Sequence, residues 1–349
     1  MNMPVNMQAV AEATGVHRTT VSLALRDSPR LPAETRARIC RVATGMGYRP
    51  DPLVSALMTA RAGRKRRALR AVIACVGTEA PANGGREDDA YARMSRGARE
   101  RAGEQGYAVS FFRHPAATGM SPMRFTGMLA ARGVHGLLIA PGNRADVRLD
   151  LDWARFAVVE LGYNLAEPAF HGVVHDYFHA MKLALAEARA RGRRRIGFVM
   201  PAAQDAKSHH LWRAAYLDAQ QGWPARERLP ILGGAKVTEE LLAEWIGRAR
   251  PDAVCAIGSS TLSGLKRVLG ARFPGEVGFV DLACHDREGG NAGIYQNWEQ
   301  MGAAAADTLV AMLNRGERGV PEFARHTLTA GVWVDGATLP PRAVGRVES

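Results

Sequence analysis

Apolar residues in the first fifty positions recur at helical spacing in three short segments. The apolar positions are Met7, Val10 and Ala11 in the first segment, Val21 and Leu25 in the second, and Ile39, Val42 and Ala43 in the third. Asn6 is placed to cap the first helix, and Gly15 can take the positive φ of a tight turn after it. Two short helices about a glycine turn, followed by a third helix that ends at Gly47, predict helix-turn-helix geometry.

From residue 69 onward the pattern changes to short apolar strands that alternate with helices. Strands are predicted at 71–76, 109–112, 136–139 and 157–161 in one half, and at 172–175, 196–200, 253–257 and 277–280 in the other. Helices are predicted at 88–105, 177–191, 208–221 and 300–314. This alternation predicts an α/β core of two Rossmann-like lobes, whose ligands bind in the cleft beyond the carboxyl ends of the strands.

Positive charge is concentrated near the N-terminus. Residues 1–70 hold 13 Lys and Arg against 4 Asp and Glu, whereas the remaining residues hold 33 against 30. Such a distribution is typical of a nucleic-acid-binding arm, although a solvated basic face gives the same count. Apolar runs fall short of the roughly 18 residues that cross a bilayer, and residues 1–10 lack the features of a secretory signal. A cytoplasmic location is therefore expected.

Four motifs in the first fifty residues carry a specific resemblance. They are VAEATGV at 10–16, TTVS at 19–22, ETR at 34–36 and GYRP at 47–50. In order and spacing they resemble the DNA-binding headpiece of the LacI/GalR family of bacterial transcriptional regulators. The resemblance implies a repressor that binds a palindromic double-stranded operator as a homodimer.

The resemblance also implies roles for individual residues. Arg18 and Thr19 match the start of the recognition helix, where base edges are contacted in the major groove. The positions that match phosphate contacts are Asn6, His17, Thr20, Ser22, Arg26 and Thr35. Leu23 stands where the family usually has a base-contacting Arg, so a different half-site is expected. His17 and Pro32 replace the usual Ser or Thr caps, and weaker helix starts are expected at both.

Pro50 and Pro52 separate the headpiece from the segment 53–58, which matches the family's hinge helix. The resemblance implies that Leu57 inserts between base pairs of the minor groove and that this helix orders on the operator. Six of the ten residues from Arg61 to Arg70 are basic. This run is interpreted either as a solvated linker or as a source of further phosphate contacts.

Looser motifs at 128–141, 193–198, 250–254 and 296–302 are similar to the effector domain of the same family, a periplasmic-binding-protein-like fold of type I. The expected organisation is a helix-turn-helix domain at 1–50, a hinge helix and basic linker at 51–69, and a ligand-sensing and dimerisation core at 70–349. By the same likeness, the N-lobe covers about 70–162 and 293–321, and the C-lobe about 163–292 and 322–340. The chain then crosses between lobes near Gly162, Ala292 and Glu322.

The predicted effector pocket departs from the family pattern. Trp212 occupies the position of the usual cleft arginine, with Arg213 beside it, and Gly258-Ser259 replaces the usual Asn-Asp pair. Asp281 lies near the missing Asp-Asp pair, and Trp298 matches an aromatic residue that packs on the ligand. The candidate effector-binding residues are Trp212, Arg213, Asp281 and Trp298, with a sugar as the family's default ligand.

Sequence signals for metal binding or catalysis are weaker. His171, His175 and His179 have the spacing of metal ligands on a helix, but 172–174 is predicted as strand, so the rings diverge and neither metal nor cofactor is expected. Ser259 lacks a nucleophile elbow, and an enzyme is not expected. Two alternatives stay open: the same regulator with a non-sugar effector or none, and a pure ligand-binding receptor.

Overall fold

The structure is a computed structural model that describes residues 7–25, 31–48, 71–77, 90–142, 147–285, 287–288 and 290–342. The chain divides into two compact units, Met1–Leu69 and Arg70–Ser349, which we call the headpiece and the core. Among the described residues, no helix combines the length and apolar character needed to span a membrane.

The described residues of the headpiece form three helices packed around a small apolar centre. They are α1 (Met7–Thr14), α2 (Arg18–Ala24) and α3 (Ala33–Gly45). The buried side chains are those of Val10, Ala11, Val21, Ala24, Ile39 and Ala43. Gly15, at a φ of 66°, makes the turn from α1 to α2. The predicted helix-turn-helix is therefore confirmed.

The starts of α2 and α3 differ in how they are capped. His17 Nδ1 accepts a hydrogen bond of 3.3 Å from the backbone amide of Thr19, so a histidine supplies the cap that Ser or Thr would otherwise give. The weak start predicted for α2 is thus wrong. Pro32 offers α3 no side-chain cap within the described residues, as expected for that position.

The first lobe of the core is built on a six-stranded parallel sheet. Its strands are β1 (Ala71–Val76), β2 (Tyr107–Phe112), β3 (Gly136–Ile139), β4 (Ala157–Leu161), β5 (His171–His175) and β10 (His326–Thr329), in the order β10-β5-β4-β3-β1-β2. Helices α4 (Ala90–Glu104) and α11 (Trp298–Arg315) cover one face, and α5 (Pro122–Ala131) lies on the other. Covering both faces buries every residue of β3, β4 and β5.

The second lobe repeats this layering on a five-stranded sheet. Its strands are β6 (Ile196–Val199), β7 (Ala253–Ala256), β8 (Gly278–Cys284), β9 (Gly293–Tyr295) and β11 (Val332–Val334), in the order β11-β9-β8-β7-β6. β11 pairs with β9 in antiparallel orientation, and the other pairs are parallel. Helices α6 (Tyr177–Ala190) and α8 (Leu211–Gln221) cover one face, and α9 (Glu239–Ala249) and α10 (Ser259–Leu269) cover the other. The short α7 (Ala202–Lys207) lies between β6 and α8 in the chain.

Strand β5 belongs to the first lobe, which corrects the predicted placement of 172–175 in the second. It pairs with β4 on one side and β10 on the other, and a strand buried at all five positions requires such an interior place in a covered sheet. The chain therefore crosses between lobes just after His175, not near Gly162. The later crossings lie between Tyr295 and Trp298 and between Thr329 and Val332, not near Ala292 and Glu322.

Helices α4 and α11 approach each other at backbone distance. A Cβ built at Gly302 would overlap the carbonyl oxygen of Met94, and one at Gly97 would overlap that of Glu299. Glycine is required at both positions because no side-chain atom fits between the two helices. This contact holds α11, which follows the second crossing, against the first lobe.

Candidate DNA-binding surface and effector cleft

The start of α2 presents polar side chains away from the headpiece core. His17, Arg18 and Thr19 are exposed, whereas Val21 and Ala24 are buried against α1 and α3. A helix anchored on one face and polar at its first turn has the form needed to place side chains on base edges in a major groove. The residues expected to contact bases lie on this surface.

The remaining predicted DNA contacts lie around the same helix or outside the described residues. Thr20 and Ser22 are half-buried on α2, and Thr35 is half-buried in the first turn of α3. Asn6, Arg26 and Leu57, with the hinge segment and basic linker, lie outside the described residues.

Two arginines of α3 have structural contacts that a charge count does not reveal. Arg36 donates to the carbonyl of Leu31 at 2.8 Å, and Arg38 donates to the carbonyl of Thr14 at 3.2 Å. Arg38 thereby ties α3 to the end of α1. These two arginines are part of the excess positive charge of the headpiece, and they stabilise its internal turns through hydrogen bonds to backbone carbonyls.

In the core, Trp212 lies where the two lobes meet. It is fully buried on α8 and packs in the apolar centre of the second lobe, with its ring 5.8 Å from that of His175 at the end of β5. Its indole Nε1 finds no hydrogen-bond partner among the residues that the structure describes. The predicted pocket residue thus reaches the lobe junction, but as a buried side chain rather than an open wall.

Arg213 points to a buried carboxylate, that of Asp205. Its Nε lies 2.8 Å from Asp205 Oδ2, and His210 Nδ1 lies 3.0 Å from the same oxygen. Asp205 itself is 2% exposed. Contacts from both side chains to one buried oxygen hold the segment between α7 and α8, where both His209 and His210 adopt positive φ.

Asp281 also has internal partners on both oxygens. Oδ1 accepts from the backbone amide of Ala283 at 3.0 Å, and Oδ2 accepts from Asn291 Nδ2 at 3.1 Å. These bonds span the register shift of β8 against β9, which begins at Asp281. In this conformation both oxygens of the Asp281 carboxylate already accept hydrogen bonds from within the second lobe.

Trp298 is 4% exposed and forms part of the first lobe's apolar centre. The guanidinium of Arg93 lies 5.2 Å from its ring centre, within the range of a cation–π contact. Arg93 also donates to Glu299 Oε1 at 2.7 Å, to the Tyr295 hydroxyl at 2.7 Å and to the carbonyl of His285. Because Tyr295 and His285 belong to the second lobe, Arg93 joins the lobes beside the second crossing.

A second contact between lobes involves Tyr163, which follows β4, and His209 of the second lobe. Their rings stack at 4.0 Å and 20°, and the ring of His326 lies 5.4 Å from Tyr163. Burial lowers the pKa of His209, and the neighbouring His210 and His326 lower it further. Arg93, Tyr163 and His209 carry no sequence motif, so only the fold reveals their proximity to the cleft.

The three histidines considered as metal ligands diverge. His171 and His175 occupy opposite ends of β5, and His179 is exposed on α6, where Nδ1 lies 2.7 Å from Asp176 Oδ2. Within the described parts of the chain, no group of three or more His, Cys, Asp and Glu side chains is arranged to hold a metal ion.

Comparison with known proteins gives a consistent result. Residues 6–51 match the model of bacterial regulatory proteins of the lacI family. The chain is 30% identical over 150 residues to the HTH-type transcriptional regulator AglR of Rhizobium meliloti (strain 1021), a match over 43% of this chain and 38% of that protein. The match thus spans well under half the length of this relative.

Solved structures have a similar fold over most of the chain. The complex of the transcriptional regulator CelR with cellobiose has a TM-score of 0.58 at 22% identity, covering 96% of this chain and 99% of that one. The lac repressor dimer bound to operator and the anti-inducer ONPF has a TM-score of 0.55 at 17% identity, covering 97% and 100%. At these identities the likeness establishes the fold.

Fold and surface together define a helix-turn-helix headpiece joined to a two-lobed, periplasmic-binding-protein-like core. The headpiece matches the model of bacterial regulatory proteins of the lacI family, and the resemblance predicted from the sequence is confirmed.

Proposed function

We propose that this protein is a sequence-specific DNA-binding transcriptional regulator, a repressor that binds a palindromic operator as a homodimer in the cytoplasm. The observation that carries the proposal is the exposed start of α2, His17, Arg18 and Thr19, within a headpiece that matches the lacI family. Two-fold symmetric half-sites require two recognition helices, hence a dimer. The proposal assigns no catalytic step.

We further propose that a small molecule binds between the two core lobes and changes operator affinity. The fold supports this, since ligands of parallel α/β sheets bind at the carboxyl ends of the strands. The structural likeness to a regulator in complex with cellobiose makes a sugar the reference effector. Effector and DNA would then be linked by a coupling free energy of about 1–3 kcal/mol.

A second candidate is the same regulator with a non-sugar effector or none. It is favoured by the full burial of Trp212 and by the internal hydrogen bonds of Asp281. Both residues would have to move or change partners to contact a sugar in the predicted way. The exposed recognition helix argues against a pure ligand-binding receptor.

Selection of bound sequences from random duplex DNA tests the DNA-binding proposal with the full chain. We expect a palindrome with a flexible central step. Arg18→Ala should relax one base position in each half-site, whereas Arg248→Ala, which removes an exposed arginine of α9, should leave the selected sequence unchanged. A non-palindromic or single-stranded preference would contradict the dimer.

A further inference from the structure

A hydrogen bond between side chains joins His17 and Thr19 at the exposed start of α2. His17 precedes the helix with extended backbone, and Thr19 is the second residue of the helix. Nδ1 of His17 lies 2.8 Å from Oγ1 of Thr19 and accepts the backbone amide of Thr19 at 3.3 Å. Both residues are exposed, on the surface that also carries Arg18. A side chain expected to contact bases is therefore held by a neighbouring ring.

The backbone amide of Thr19 determines which nitrogen of His17 carries the proton. An amide N–H can only donate, so Nδ1 must be unprotonated to accept it. The proton of the neutral imidazole is then on Nε2. Because Nδ1 is the acceptor, the Thr19 hydroxyl is the donor in the hydrogen bond of 2.8 Å.

Thr19 has no carbonyl of its own helix that could replace His17 as the acceptor. A threonine within a helix commonly donates its hydroxyl to a carbonyl three or four residues earlier. For Thr19 these are the carbonyls of Gly15 and Val16, which come before α2 begins at Arg18. The hydroxyl proton therefore points to His17, and the lone pairs of the oxygen are left for a partner outside the headpiece.

We propose that His17 is a positioning residue that makes Thr19 a hydrogen-bond acceptor towards DNA, so that Thr19 recognises an exocyclic amine in the major groove. The proposal deepens the DNA-binding function proposed above and rests on it. The amines at the base edges of this groove are N6 of adenine and N4 of cytosine, whereas N7, O6 and O4 are acceptors. Arg18 can only donate, so the two neighbouring residues contact groups of opposite polarity.

This restriction depends on a histidine at the cap position. A serine or threonine hydroxyl there both donates and accepts, so it would leave the direction of the bond to Thr19 open. The unprotonated Nδ1 of His17 only accepts. On the other side of the ring, Nε2–H is a donor, the polarity that the expected phosphate contact of His17 requires. One ring then binds the DNA backbone and orients the hydroxyl that contacts a base.

The first test removes single groups from the operator and uses the full chain. After duplex selection, the pair contacted by Thr19 is the one whose preference relaxes in Thr19→Val. In one half-site, adenine of this pair is replaced by purine, or cytosine by 2-pyrimidinone, which removes the amine. We expect the unaltered chain to lose about three- to tenfold more affinity than Thr19→Val.

The 7-deaza form of the purine in the same pair is the control, because it removes the acceptor N7 and should weaken binding of the unaltered chain and Thr19→Val equally. A loss on removal of N7 that depends on Thr19 would show that the hydroxyl donates, and it would overturn the proposal. Equal losses of both proteins on removal of the amine, or no relaxed pair in Thr19→Val, would do the same.

The second test examines whether His17 orients the hydroxyl. In His17→Ala this hydroxyl can rotate, so the additional loss on removal of the amine should fall below about twofold. His17→Asn is the matched control, because its amide oxygen can accept near the position of Nδ1 and cap α2. It should keep the dependence on the amine, although without Nε2 it should bind every duplex more weakly.

Each loss is a ratio of affinities for two duplexes, so a change in headpiece stability affects both measurements alike. An unchanged dependence on the amine in His17→Ala, or a lost one in His17→Asn, would overturn the inference. A palindrome selected by the unaltered chain supports the proposed function whatever these ratios are, so the two proposals can fail separately.

Discussion

The structural role of Arg193 cannot be predicted from its residue type. It is the first of three consecutive arginines, and it is 0% exposed. Its guanidinium donates to five backbone carbonyls, those of Asp252, Pro274, Gly275, Glu276 and Pro340. The sequence could not single it out, because the need for a buried cation arises where three distant loops converge.

For the cleft, the resemblance to the family predicted which part of the chain lies at the lobe junction. It did not predict which side chains there are held by internal partners. Trp212 does lie at the lobe junction, whereas Asp281 and Trp298 are held by internal partners. The spacing of His175 is that of a metal ligand on a helix, whereas its position beside Trp212 depends on β5 lying in the first lobe. Contacts of this kind between distant segments leave no periodic signal in the chain.

Glu160 gives a residue-scale prediction about pH. Burial in β4 raises its pKa to about 7, although the amides of Asn164 and Leu165 act to lower it. An acid whose pKa is raised on folding gives its full stability below the unfolded value, near 4.5, and loses it as the pH rises through the folded value. The loss is about 3 kcal/mol at most. Glu160→Gln, which keeps an acceptor, should therefore be more stable than the parent at pH 8 and similar at pH 5.

Denaturant unfolding at pH 5, 6, 7 and 8 measures this difference in stability between variant and parent. Glu299 supplies a control, because its pKa is shifted in the opposite direction. Burial alone would raise the pKa of Glu299, but hydrogen bonds from Arg93 and Arg96 outweigh it and hold the pKa at about 2. Glu299→Gln should therefore lower stability throughout this range. Stability curves of parent and Glu160→Gln that ran parallel would show that Glu160 does not titrate on folding.

Among the elements, those with a strong pattern of apolar residues were predicted from the sequence. Those that depend mainly on tertiary contacts were not. Strands β1, β3 and β4 match their predicted ranges because short apolar runs between helices are typical of covered parallel strands. β9 and β11 have three residues each, and β10 is mostly exposed, so no apolar run marks them. The lobe assignment of β5 failed because pairing partners are not encoded in local pattern.

The contact between α4 and α11 predicts a strong effect of one methyl group. Gly302→Ala would place a Cβ against the carbonyl of Met94 and 2.9 Å from the amide of Ala98. Such overpacking costs about 1–3 kcal/mol, more than the roughly 1 kcal/mol that alanine gains over glycine in a helix. The free energy of unfolding should fall, as measured by denaturant titration.

Gly127 of α5 is the matched control, because a Cβ there meets no atom within 4 Å. Gly127→Ala should raise the free energy of unfolding by up to about 1 kcal/mol. If Gly302→Ala were equally stabilising, α4 and α11 would not be in backbone contact and the packing described above would be incorrect.

At the scale of the whole molecule, the charge distribution and the two compact units divide the chain at the same place, near residue 70. The first 70 residues carry most of the +12 net charge, and they include the headpiece with its exposed α2. Composition and motifs sufficed to predict this organisation, since both are local properties. The identity of the operator and effector depends on a few side chains, and replacements such as Leu23 and Trp212 remove the family's usual signals.

The most direct test of the account is the ratio of affinities for the selected duplex and for random competitor DNA, measured by fluorescence anisotropy at moderate, fixed salt. The account predicts a ratio of at least about 10³ for the unaltered chain. It predicts that Arg18→Ala lowers this ratio by roughly 5- to 150-fold for each half-site, mainly through weaker binding to the selected duplex. Equal affinity for both DNAs, with or without added metabolites, would contradict the proposed function.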